Sequence, residues 1–82
     1  MIVAIGTNGL RCVVWGIAET KEEAEAEAVT EFEMDPDLPR PDLQFAQVSA
    51  DRASEILAGD INAEDLIETV RDGWRVRKEF MP

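Results

Sequence analysis

The chain contains no histidine and no tyrosine, a single cysteine, Cys12, and only eight Lys and Arg residues in 82. Without histidine there is no imidazole base, no Ser-His or Cys-His nucleophile pair and no Cys/His zinc site. One thiol cannot close a disulfide within a monomer. No run approaches the roughly 18 consecutive apolar residues of a membrane-crossing helix. The start, Met1-Ile2-Val3-Ala4-Ile5, lacks the basic segment and long apolar stretch of a signal peptide. A cytoplasmic, reducing location is therefore expected. Internal repeats and low-complexity linkers are also lacking.

What the chain does have is acid. Eighteen Asp and Glu leave a net charge of −10 and a pI near 4.2. Phosphate backbones and anionic bilayers both repel such a molecule, so neither nucleic acid nor membrane is expected as a direct partner. A hydrophobic content of 45% is still enough to fold. Residues 1–82 are expected to form one domain with a thin stability margin, because a chain this short buries only about 60% of its unfolded surface.

Local patterns predict the order ββαβααβ: an α+β fold with a mainly antiparallel four-stranded sheet and helices packed on one face. Ile2–Ile5 and Cys12–Trp15 are β-rich, and Asn8-Gly9 between them suits a two-residue type I′ turn. That turn would set Thr7 opposite Leu10, Ile5 opposite Cys12, Val3 opposite Val14 and Ile2 opposite Trp15. Apolar residues on both faces require a second cover, which a homodimer could supply. Thr20-Lys21-Glu22-Glu23 has capping-box spacing and opens a helix to Met34, with Ala24, Ala28, Val29 and Phe32 inward. Three prolines at 36, 39 and 41 end it. Leu43–Val48 reads as a third strand. Ser49 or Asp51 caps a second helix with Ala53, Ile56 and Leu57 inward and Gly59 as its stop. Asn62 caps a third helix with Leu66, Ile67 and Val70 inward, ending at Gly73. Trp74–Phe80 alternates as a last strand, with Trp74, Val76 and Phe80 on one face.

Charge along the chain is uneven. Residues 19–42 carry ten acids against two bases, whereas residues 71–82 are net positive. The first helix sets six glutamates between positions 22 and 33, about 16 Å of axis at ~1.5 Å per residue. That density is close to the duplex-DNA value of one charge per ~1.7 Å and the single-strand value of one per ~3.4 Å. The competing reading is a solvated face that keeps a small protein soluble. Lys21 is the one lysine in the helix, so i,i+4 salt bridges do not account for the glutamates, and pairs such as Glu23/Glu27 repel. The candidate protein-binding residues are Glu22, Glu23, Glu25, Glu27, Glu31, Glu33, Asp35 and Asp37. Other features have simpler explanations. Asp35-Pro36-Asp37 lacks the rest of a calcium loop, and Gly6-Thr7-Asn8-Gly9 lacks the Gly-Lys-Ser/Thr ending of a phosphate loop. Cys12 suits a small core residue, and Trp15 and Trp74 suit core or interface anchors. Arg71, Arg75, Arg77 and Lys78 can pair with the chain's own acids. No catalytic residue, metal or cofactor is expected.

A very short, strongly acidic α+β chain with no catalytic motif resembles the small phage-encoded inhibitors that include anti-CRISPR proteins and other DNA mimics. The run Glu22 to Asp37 and the overall size carry that resemblance. It implies inhibition of a nucleic-acid-processing complex by occupying a basic nucleic-acid-binding or recruitment surface. The alternative is an adaptor or assembly module with an apolar interface and no inhibitory role.

Overall fold

Every residue between Ile2 and Ile5 is apolar, and the structure supplies a layer for each side of that strand. The computed structural model describes residues 1–8, 11–34, 37 and 42–82. Strands β1 (Ile2–Asn8), β2 (Arg11–Ala18) and β3 (Gln44–Gln47) form an antiparallel sheet in the order β2-β1-β3. Helix α1 (Lys21–Met34) covers one face, where Ala4, Ala18, Ala24, Ala28 and Phe32 are buried together. Helix α2 (Ala50–Ala58), a 3₁₀ turn (Ala63–Leu66) and the hairpin β4 (Ile67–Val70) and β5 (Gly73–Val76) cover the other. Val3, Ile5, Ala46, Ile56, Leu66 and Val76 meet there. A second 3₁₀ turn, Lys78–Phe80, follows β5.

The α+β class and the antiparallel pairing are those expected, but the layering differs. Helices flank both faces of the three-stranded sheet, and the remaining two strands form a sheet of their own. The second cover for the β1–β2 hairpin is thus the chain's own C-terminal half, and its two apolar faces no longer call for a second copy. The predicted third helix is replaced by the 3₁₀ turn and β4. Ile67, Thr69 and Val70 are β-branched, stiff at χ1 and better suited to a pleated surface than to a helix. Strand β5 stops at Val76, and Phe80 lies in the 3₁₀ turn beyond it. Leu57, expected inward, is 77% exposed.

The hairpin register also shifts. Asn8 pairs with Arg11, Thr7 with Cys12 and Ile5 with Val14, but Ala4 pairs with Gly16, so Trp15 is an extra residue in β2. The predicted Asn8-Gly9 turn involves Gly9, which lies outside the described residues. The bulge turns Trp15 and Gly16 both towards α1, whereas simple alternation would have put them on opposite faces. Trp15 packs on Phe32 with ring centroids 4.8 Å apart. A methyl group on Gly16 would overlap the Ala24 carbonyl oxygen and sit 2.9 Å from Glu27 Cβ, so α1 crosses β2 at near backbone contact.

Caps match the sequence. Thr20 Oγ1 accepts from Glu23 N–H at 3.2 Å, and Ser49 Oγ accepts from Arg52 N–H at 3.1 Å. Gly59 ends α2 at φ 85°, where its lack of a Cβ permits the left-handed turn.

Candidate functional site

Helix α1 is anchored by Ala24, Ala28 and Phe32, and this fixes where its carboxylates point. At 3.6 residues per turn, Glu23, Glu27 and Glu31 fall on one flank, with neighbouring Cβ atoms ~6 Å apart. Glu22, Glu25 and Glu33 fall on the other, in line with half-buried Val29. Between the rows the helix presents Ala26 and Thr30, both small, and Thr30 Oγ1 donates back to Ala26 O at 3.0 Å. The rows therefore lie to either side of the helix's outward ridge.

All six glutamates are exposed, and none makes an ion pair among the described residues. Glu27 differs from the others because its Oε2 accepts from the Ile17 N–H at 3.0 Å. That bond caps the outer edge of β2, so Glu27 has a structural role that the charge pattern does not reveal. Asp37 is exposed beyond the helix, and Asp35 lies outside the described residues. Together the glutamates form a high-density, acceptor-only anionic surface. Such a surface can engage Lys and Arg from a partner.

Burial pushes the Cys12 thiol above its usual range, with the Glu64 carboxylate adding to the effect, so the thiol stays protonated at neutral pH. Among the described residues no group of three or more acids or cysteines is placed to hold a metal ion. No helix there is long and apolar enough to cross a membrane. The basic segment is partly engaged by the chain itself: Arg75 Nε lies 2.6 Å from Glu68 Oε1, and Arg77 Nε donates to Ile67 O at 3.0 Å. Arg11 sits 3.9 Å from Glu64. A shallow groove beside β2 is lined by Val14, Trp15, Ile17, Glu27, Ile56 and exposed Leu57.

No protein family, no curated protein and no solved structure matches this chain.

Proposed function

We propose that the protein is a small acidic inhibitor that blocks a nucleic-acid-processing complex, in the manner of anti-CRISPR proteins, by occupying a basic nucleic-acid-binding or recruitment surface. The observation that carries this reading is the pair of exposed carboxylate rows on α1, with Ala26 and Thr30 between them and no ion pair among the described residues. A helix selected only for stability would intersperse lysines to relieve the repulsion. This one tolerates it over the whole span from Glu22 to Glu33. The protein acts by binding rather than catalysis, needs no cofactor, and meets its target in the cytoplasm. Its partner is a basic nucleic-acid-binding protein, and nucleic acid competes for the same surface.

Capture of binding partners from a bacterial lysate at low and high salt tests this. A nucleic-acid-binding protein retained at low salt and released at high salt supports the proposal, because screening weakens exposed charge contacts. The second reading, an adaptor with an apolar interface, is favoured by Leu57 lying exposed beside the β2 groove. An adaptor would hold its partner through the salt step and lose it on Leu57→Asp.

A further inference from the structure

The two edges of the three-stranded sheet are treated differently. The β2 edge is blunted by the Trp15 bulge and by the Glu27 carboxylate on Ile17 N–H. The outer edge of β3 has no backbone hydrogen bond to another element among the described residues. A groove of about 550 Å³ opens at the Gln44–Phe45 end of this edge. Gln44 and Phe45 of β3, Val76, Met81 and Pro82 form its floor and walls, and Lys21, Arg75 and Lys78 rim it.

The charge of this groove runs against that of the molecule. Acids outnumber bases eighteen to eight in the chain, yet three bases and no Asp or Glu side chain line it, Arg75 being paired with Glu68 outside the groove. Lys21 and Lys78 make no ion pair among the described residues, and Lys21 Nζ stands 4.9 Å from the centroid of the Phe45 ring. Met81, at 60% exposure, leaves apolar surface open beside these cations. Gln44 ties the two walls together: its Nε2 donates to Trp74 O at 3.1 Å and its Oε1 accepts from Val76 N–H at 3.2 Å. These bonds fix β5 against the start of β3.

We propose that this groove is a docking site for an extended, acidic segment of a partner protein that carries an apolar side chain among its carboxylates. The segment adds to the free edge of β3 through main-chain hydrogen bonds. Its alternate side chains then face the two walls. Carboxylates meet Lys21 and Lys78, and the apolar residue covers Phe45 and Met81. A flat anionic membrane cannot reach the groove floor and is repelled by the rest of the molecule. This site is separate from the carboxylate rows of α1 and does not depend on their role.

The test is NMR titration of the isotope-labelled protein with the peptide acetyl-Glu-Glu-Leu-Glu-Phe-Glu-Glu-amide, at about 150 mM salt so that only short-range charge contacts count. Saturable shifts centred on the amides of Gln44, Phe45, Arg75, Val76 and Lys78 are expected. The Lys21→Glu, Lys78→Glu double variant should bind about tenfold more weakly or worse, and Lys21→Arg, Lys78→Arg should bind as the parent does. Both lysines are exposed and make no ion pair among the described residues, so the fold should survive either change, and the unperturbed spectrum of the free variant verifies this. A peptide with Lys in place of Glu, or with Leu and Phe replaced by Glu, should lose most of the affinity. The proposal is overturned by any of four results: no saturable shifts at millimolar peptide, shifts centred elsewhere, equal binding by the Lys→Glu variant, or the same shifts produced instead by anionic phosphatidylserine vesicles or by raising the concentration of the protein alone.

Discussion

At the scale of single residues, the tightest constraint is Gly16. Its missing side chain lets the α1 backbone lie on β2, with the Ala24 carbonyl oxygen and Glu27 Cβ where a methyl group would sit. Gly16→Ala should destabilise the protein by about 1–3 kcal/mol or more, read as a lower urea midpoint with unchanged slope. Trp15 offers the opposite case. Its Nε1–H is buried with no acceptor among the described residues, while its ring packs at a tilt against Phe32. Trp15→Phe should be close to neutral, since the unpaired donor disappears with little loss of packing, whereas Trp15→Ala should cost about 3–5 kcal/mol. Cys12 gives a pH dependence. Its thiol is held above the ordinary value, so the folded state keeps a proton that the unfolded state releases. That contribution is complete below about pH 8.5, the ordinary thiol value, and is lost as pH rises through the higher folded value. Unfolding in urea at pH 8 and pH 10 should show a larger alkaline loss for the parent than for Cys12→Ala. The sequence displays Ala24, Ala28 and Phe32 openly as an inward stripe. Gly16 is invisible there, because the face it takes depends on a bulge one residue earlier.

At the scale of elements, strand and helix starts were legible wherever a side chain supplies the cap or stop, as at Thr20, Ser49 and Gly59. The segment after Asn62 was not. Leu66, Ile67 and Val70 match helical spacing, yet three β-branched residues within 67–70 pair as a strand with 73–76. Over so few residues periodicity cannot separate the two, and propensity with tertiary pairing decides. The register of β1 on β2 was not legible: Thr7 meets Cys12 instead of Leu10 and Ile5 meets Val14 instead of Cys12, and beyond the Trp15 bulge Val3 meets Ile17 and Ile2 meets Ala18. Gln44 could not have been singled out either, since its amide matters only because β5 lies against it. Gln44→Leu leaves Trp74 O and Val76 N–H without these partners. It should destabilise the protein by about 1–3 kcal/mol and raise hydrogen exchange at Val76 ahead of that in β1.

At the scale of the whole molecule, the radius of gyration of 12.0 Å is that of a compact chain of this length, ~2.2·N^0.38 Å for N residues. Into that small body the chain packs a net charge of −10, so self-repulsion opposes folding. Raising salt from about 20 to about 500 mM should screen the repulsion and lift the melting temperature by several degrees. The candidate site was legible to the extent that it is a charge pattern on one helix. Its division into two rows follows from knowing which side of α1 is buried. The edge-capping role of Glu27 was not legible, because it needs the distance to Ile17. That role decides which positions to reverse. Glu22, Glu23, Glu31 and Glu33 are exposed and have no hydrogen-bonding side-chain role among the described residues, so changing all four to Lys should leave the fold intact. The most direct measurement is the affinity of this quadruple variant, against the parent, for a nucleic-acid-binding protein captured at low salt, with duplex DNA as competitor. Binding by the parent that DNA displaces and the variant loses is the expected result. Equal binding by parent and variant, or binding that DNA does not displace, would contradict a phosphate-mimicking role for α1.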